Sequence, residues 1–396
     1  MKRIALFLDG TWNTVRSNTN VWRMKSLCDT SDEQISYYSQ GVGTKFGERI
    51  RGGMFGYGLD DEVIRAYMWL MEHYDQGDRI FIFGFSRGAF TARSLAGLIS
   101  KCGLLKPGSP VSITQLYARY KRGDRAHTIR KLANLPDASL SQEDKLVKKY
   151  SMAIPIWFQG VWDTVGALGV PFGNIPIISR SNYGFLETDL RINNTRAFHA
   201  IAIDEHRKAF APTLWTKTVE KNHADDTPPP RPLDQVEQRW FVGAHADVGG
   251  GYENGMLAQL PLNWLMQKAA KHGLTFKGSI LLDSEEIQSP IHNSFKEMAF
   301  GLYRLFHFFI PYYRTIGAAP SEKEGKVTTT INETIDASVF ERWRKMPSYR
   351  PKNLVRWAAG HGVDCKDIEH TVVATDPTAG VDMPQAQTAP NTGMPA

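Results

Sequence analysis

The sequence predicts an α/β fold in which a mostly parallel sheet is flanked by helices. Two observations predict it. Short apolar segments alternate with longer stretches of helical periodicity, and most of the short segments are near-continuous apolar runs rather than alternating ones. A strand covered on both faces buries both rows of its side chains, so polar alternation disappears. The chain has 396 residues, 42% hydrophobic and 11% aromatic, which is ample for a sizeable core. No internal repeat divides it.

Six segments read as strands: IALFL from Ile4, ISYYS from Ile35, RIFIFG from Arg79, IPIWFQG from Ile154, AFHAIAI from Ala197 and RWFVGA from Arg239. Between the second and third lies DDEVIRAYMWLMEHY, where Val63, Tyr67, Leu70 and Tyr74 share one helical face. Its acidic start suits the positive end of the helix dipole. RGAFTARSLAGLISKCG reads as a helix stopping at Gly103, and LAQLPLNWLMQKAAKHG as one ending at Gly273. Residues near 104–150, 170–195, 216–237 and 274–330 read as lid or cap insertions on a single domain spanning 1–345. PPPRP, from Pro228, marks a loop within the third of these. Residues 346–370 form a C-terminal extension. The Pro-, Ala-, Thr- and Gly-rich stretch 371–396 reads as disordered.

Net charge is +6, with a pI near 9.0. A mildly basic chain favours anionic surfaces such as lipid headgroups, and no nucleic-acid partner is expected. The basic runs from Arg119 and Lys145 read as solvated helix faces. Cys28, Cys102 and Cys365 have no CxxC spacing and an odd count, so a reducing compartment is expected rather than a disulfide framework. The N-terminal apolar run reaches Asp9 too soon for a signal peptide, which predicts cytoplasmic synthesis. No run of about 18 apolar residues argues for a membrane span.

The third strand runs through GFSRG into a helix. G-x-S-x-G between strand and helix signals a sharp turn that lifts a serine hydroxyl above the sheet. Gly84 and Gly88 supply the lack of bulk, Ser86 is the candidate nucleophile, and the Arg87 N–H points at a developing oxyanion. A serine hydroxyl needs a base, and the base needs a carboxylate. GVWDTVGALG ends a strand at Asp163, and GAHADVGGGY ends the last strand at His245, giving the chain order Ser, acid, His. The fifth strand ends at Asp204, with Glu205 and His206 behind it. Asp163 is favoured as the acid for the small residues around it, Asp204 is the alternative acid and His206 the alternative base. Asp247 is a candidate neighbour of the site.

An oxyanion hole takes its second donor from a loop after an early strand. FLDGTWN fits, with Gly10 and Thr11 as backbone donors and Asp9 ordering the loop. The same segment is similar to half of the aspartate-nucleophile phosphatase pattern, but Phe7 occupies the nucleophilic position. YYSQGVGT, from Tyr37, is another strand and Gly-rich turn on the same edge. There is no HExxH and no Cys/His quartet, so neither metal nor cofactor is predicted. His199, near Asp204 and His206 in sequence, lies away from its strand's end by alternation.

Together FLDGTWN, YYSQGVGT, GFSRGAFTAR, GVWDTVGALG, AIDEHRKAFAPTLW, GAHADVGGGY and TINETIDASVFERW resemble, in that order, the α/β-hydrolase family of class 1 type VI secretion lipase effectors. The resemblance implies an α/β-hydrolase core and a triad of Ser86, Asp163 and His245. It implies phospholipase A activity on a lipid or other acyl ester, in an antibacterial bacterial effector. Its partners would be a membrane surface and an immunity or secretion-apparatus protein, with export to a target-cell periplasm. MAFGLYRLFHFFIPYYR, from Met298, suits either a lid over the site or an interfacial segment interrupted by Arg304 and His307. The rival readings are a carboxylesterase or thioesterase for a soluble substrate, and a non-catalytic binding module.

Overall fold

A computed structural model describes residues 1–10, 13, 15–41, 55–166, 194–221, 231–282, 285–297, 310–369 and 371–375. Among them, eight strands form the main sheet. They are β1 (Arg3–Leu8), β2 (Gln34–Ser39), β3 (Arg79–Phe85), β4 (Phe158–Trp162), β5 (Ala197–Ala202), β6 (Val236–Phe241), β7 (Glu333–Ile335) and β8 (Val373–Ala374). Their order is β8-β7-β6-β5-β4-β3-β1-β2, and only the β7–β8 pair is antiparallel. Strand order reverses around β1, which pairs with β2 on one side and β3 on the other. In open parallel sheets the crevice for a ligand opens at the carboxyl ends beside such a reversal. Register pairs Leu8 with Gly84 there, so the end of β1 lies beside the turn that carries Ser86.

The helices used below are α1 (Asn20–Leu27), α2 (Phe55–His73), α3 (Arg87–Cys102), α4 (His245–Gly249), α5 (Gln259–Lys271), α6 (Ala337–Lys345) and α7 (Lys352–His361). Alternation along each strand sends its side chains to two cores. On one face Ile4, Leu6, Ile80, Ile82 and Val161 pack under Val63, Tyr67 and Leu70 of α2 and Leu95, Leu98 and Ile99 of α3. On the other, Phe7, Phe81, Phe83, Phe158, Trp162 and Phe198 pack under Val21 and Met24 of α1 and Leu262, Leu265 and Ala269 of α5. The fold is therefore a parallel sheet with helices on both faces, and its order and connections are those of an α/β-hydrolase core.

Several boundaries differ from the sequence reading. The fourth strand starts at Phe158 rather than Ile154, because Pro155 has no N–H to donate and Ile156 makes only an isolated bridge to Asn194. β7 lies inside TINETI, and β8 lies in the stretch predicted to be disordered from 371. Two residues suffice there because β7 offers an open edge and Val373 buries into a core with Trp240, Phe340, Leu354 and Trp357. Tyr349, Cys365 and Ile368, which flank α7 in the expected C-terminal extension, belong to the same core. The insertion near 104–150 is helical (Ile113–Lys121, Ile129–Asn134 and Gln142–Tyr150), and its Leu116, Leu132 and Val147 extend the α2/α3 core. The one near 216–237 supplies the strand Thr216–Glu220 but also reaches into β6. That strand joins Ser321–Lys323 and Lys326–Thr330 in a separate antiparallel sheet. Most of the 170–195 insertion, most of the aromatic stretch from Met298, Pro228 to Pro230 of the PPPRP segment, and 376–396 lie outside the described residues. Among the described residues no helix is long and apolar enough to cross a membrane.

Candidate active site

The turn between β3 and α3 is built by close approach of backbone to backbone. A Cβ on Gly84 would sit 2.4 Å from the Gly88 carbonyl oxygen, and one on Gly88 would sit 2.2 Å from the Leu8 carbonyl oxygen. Only glycine fits either place, and Ser86 is thereby held at φ 58°, ψ −121°. Such a conformation costs a non-glycine residue on the order of 1–3 kcal/mol and persists only where the surroundings over-determine it. Ser86 is the N-cap of α3, yet its side chain makes no capping hydrogen bond. Its Oγ instead lies 2.8 Å from Nε2 of His245.

His245 opens α4, just past the end of β6. Its Nδ1 lies 2.5 Å from Oδ2 of Asp163, which follows β4 at φ 37°. Phe85 and Phe210 face the imidazole at centroid distances of 4.7 and 5.0 Å. Burial holds the ring below the ordinary histidine pKa, against the opposing pull of Asp163. Burial alone would raise the Asp163 carboxyl. The Arg314 charge and the hydrogen bonds from His245 and Arg314 outweigh it and hold Asp163 well below the usual carboxylate range. The arrangement is a neutral imidazole between a hydroxyl and a charged carboxylate, the geometry that prepares a hydroxyl for proton transfer.

A second set of buried groups fixes the residues around this chain. The His245 backbone N–H donates to Oε2 of Glu205 at 3.2 Å. Glu205 is clamped by the Arg207 Nε and Nη2, each at 2.8 Å, and accepts from Ser294 Oγ at 3.0 Å. Burial opposes the Glu205 charge, but Arg207 outweighs it and brings the carboxyl down to about 2. His199 is fully buried in β5. Its Nε2 accepts from the Thr164 N–H at 3.0 Å and its Nδ1 faces Gln238 Oε1 at 3.3 Å. Burial, then the Arg93 charge, lowers its pKa to about 3, so it is a neutral strut beneath the Asp163 turn.

The other sequence candidates are placed as follows. Asp204 does not reach His245: its Oδ2 accepts from the Gly243 N–H at 2.8 Å and from the Tyr349 hydroxyl at 3.1 Å. His206 turns the other way, with Nδ1 3.0 Å from the Tyr312 carbonyl oxygen and its ring against Tyr313. Asp247 accepts from the Ala244 N–H at 3.0 Å and from His292 Nδ1 at 2.7 Å, bracing α4 rather than joining the chain. Asp9 accepts from Thr19 Oγ1 at 2.6 Å and the Tyr38 hydroxyl at 3.0 Å.

The reading of Gly10 as an oxyanion donor needs correction. Its N–H donates to Oδ1 of Asp9 at 2.8 Å, because a carboxylate one residue earlier competes for that amide. Thr11 lies outside the described residues. Arg87 is the first residue of α3, where a helix presents amides without intrahelical carbonyl partners. Two contacts escaped the sequence reading, Glu205 on the His245 N–H and Arg314 on Asp163. Among the described residues no group of three or more His, Cys, Asp or Glu side chains is placed to hold a metal ion.

Comparison with known proteins places the sequence in a family. Residues 2–268 match the family model described as T6SS, Phospholipase effector Tle1-like, catalytic domain. An uncharacterized protein of Saccharomyces cerevisiae is 30% identical over 235 residues, 54% of this chain and 33% of that protein. An uncharacterized protein from Pseudomonas aeruginosa aligns at 18% identity and a TM-score of 0.44, over 78% of this chain and 50% of the other. The Tle1 effector bound to the VgrG spike of the type 6 secretion system aligns at 17% identity and a TM-score of 0.34, over 64% and 51%. The chain thus spans a third of the yeast relative and about half of each solved structure. With two-thirds of its length matched, the chain belongs to the family of Tle1-like phospholipase effector catalytic domains.

Proposed function

We propose that the chain is a serine esterase that cleaves acyl esters of phospholipids through an acyl-enzyme. The observation that carries this reading is the unbroken relay from Ser86 Oγ to His245 Nε2 at 2.8 Å and from His245 Nδ1 to Asp163 Oδ2 at 2.5 Å, mounted on a strained turn. His245 Nε2 takes the Ser86 proton as Oγ bonds to the ester carbonyl carbon. The carbonyl π electrons move onto oxygen, facing the Arg87 N–H and the positive end of α3. Collapse breaks the bond to the leaving alcohol, which receives the proton from His245. Water then attacks the acyl-serine by the same route, and the fatty acid leaves.

Family membership and the net positive charge support a lipid over a soluble ester. Family membership also supports an effector role, and with it we propose an antibacterial protein delivered by a secretion apparatus to a target-cell periplasm and restrained by an immunity protein. A fluorophosphonate probe tests the nucleophile: the wild type should be labelled at Ser86 and Ser86→Ala should not. Fatty-acid release from phosphatidylethanolamine and phosphatidylglycerol vesicles, compared with short p-nitrophenyl esters, separates a phospholipase from a soluble esterase. A folded, unlabelled wild type would sink the enzymatic reading.

A further inference from the structure

Arg314 stands directly behind the triad acid, with none of its side chain exposed. Its Nη1 donates to Asp163 Oδ1 at 2.6 Å and to the Ala202 carbonyl oxygen at 2.8 Å. Its Nη2 donates to Asp163 Oδ2 at 2.9 Å and to the Phe210 carbonyl oxygen at 2.6 Å. The Ala202 N–H completes the set on Oδ1 at 3.0 Å. Oδ2 is therefore shared between Arg314 and His245 Nδ1. A bidentate fork of this kind fixes the plane of a carboxylate, which a lysine point charge does not.

Two consequences follow for His245. The fork leaves Asp163 one orientation, with Oδ2 aimed at Nδ1. The same guanidinium carries a permanent positive charge across the carboxylate from the imidazole, so it offsets part of the attraction that Asp163 exerts on an imidazolium. The other charged groups near the ring are Glu205 and Arg207, which pair with each other, and Asp247, which pairs with His292 on the far side of α4. Arg87 follows Ser86 on α3. Arg314 also grips the backbone of Phe210, whose ring faces His245.

We propose that Arg314 is a positioning residue of the triad: it orients Asp163 toward His245 and offsets that carboxylate's charge, so His245 stays a neutral base into mildly acidic conditions. The inference rests on the triad reading above. Its test is a titration of His245 by NMR of histidine-labelled protein, alongside the pH profile of kcat/KM, in the wild type, Arg314→Met and Arg314→Lys. In Arg314→Met the His245 pKa should rise by about one unit or more, and the acid limb should move with it. In Arg314→Lys the limb should stay within a few tenths of a unit while kcat falls about tenfold or more, because an ammonium keeps the charge but not the fork.

An Arg314 that served only as a structural ion pair would lower the melting temperature of both variants and leave the His245 pKa and the limb in place. That result overturns the proposal. If Arg314→Met fails to fold, Arg314→Lys decides, and an undiminished kcat in it is equally fatal. A wild type without turnover would refute the esterase reading, yet the His245 titration would still decide the role of Arg314.

Discussion

Gly88 lies with its Cα against the carbonyl of Leu8, so that a Cβ added to Gly88 would sit 2.2 Å from the Leu8 oxygen and 2.4 Å from that of Asp9. Both neighbours are backbone, Leu8 held by the β1–β3 pairing and Asp9 by its N–H on the Ser39 carbonyl, and neither can rotate away. Gly88→Ala must therefore push α3 off the sheet. Overpacking of this kind costs about 1–3 kcal/mol or more, and a displacement near 1 Å at a nucleophile costs about 100-fold in rate. Thermal melting and the rate of fluorophosphonate labelling check this, and a variant with wild-type values for both would contradict the packing described.

The two aspartates that close neighbouring strands should behave differently. Asp163→Asn cannot stabilise the protonated His245 and should lose about 10³–10⁴-fold in kcat/KM. It also strips the buried Arg314 of its counter-charge, a loss of about 3–5 kcal/mol for a broken buried pair. Asp204→Asn keeps an oxygen for the Gly243 N–H and the Tyr349 hydroxyl, so its activity should stay within about tenfold of wild type. Steady-state kinetics with a p-nitrophenyl ester distinguish them, and the opposite ranking would reassign the acid.

The parts of this site that can be read in the sequence are those written in local context. Ser86 sits between glycines at a strand-to-helix turn. Asp163 and His245 each close an apolar run, and in a parallel sheet such ends converge on one edge. Gly10 shows the limit of that logic, since a backbone donor is visible in the sequence but its capture by the neighbouring Asp9 side chain is not. Arg314 is 151 residues from Asp163 and is the last residue of the aromatic stretch from Met298, which reads as a lid or an interfacial segment. Nothing near it in sequence signals an ion pair. β8 escaped for another reason: a two-residue strand has no periodicity, and its existence depends on the edge that β7 offers.

The pH dependence of turnover should be displaced toward acid. The proposed mechanism requires neutral His245, and burial lowers its pKa in the folded protein. The acid limb of kcat/KM should therefore fall below about 6.5, the ordinary histidine value. Asp163, whose pKa is depressed, contributes stability above about 3.9 that is lost only as pH falls toward its lower folded value. Activity should thus decline before this ion pair is lost. A kcat/KM profile between pH 4.5 and 8, with circular dichroism at each point, checks both statements. An acid limb at or above the ordinary value would show that Asp163 dominates the ring.

Glu62 on α2 offers a stability test that does not depend on the reaction. It is 1% exposed, accepts from Ser39 Oγ at 2.7 Å and lies 3.5 Å from Thr91 Oγ1. Burial raises its pKa to about 7, and these hydrogen bonds and Arg65 only partly oppose the rise. Between about pH 4.5 and 7 the unfolded chain loses this proton while the folded chain keeps it, so stability falls as pH rises through that window. Above it the penalty is constant, on the order of 3 kcal/mol for such a shift. Glu62→Gln removes the titration and keeps an oxygen for Ser39. The variant should match the wild type near pH 4 and melt a few degrees higher at pH 8. Equal melting temperatures at pH 8 would mean that Glu62 ionises in place at little cost, its charge met by the hydroxyls and Arg65 rather than opposed by burial.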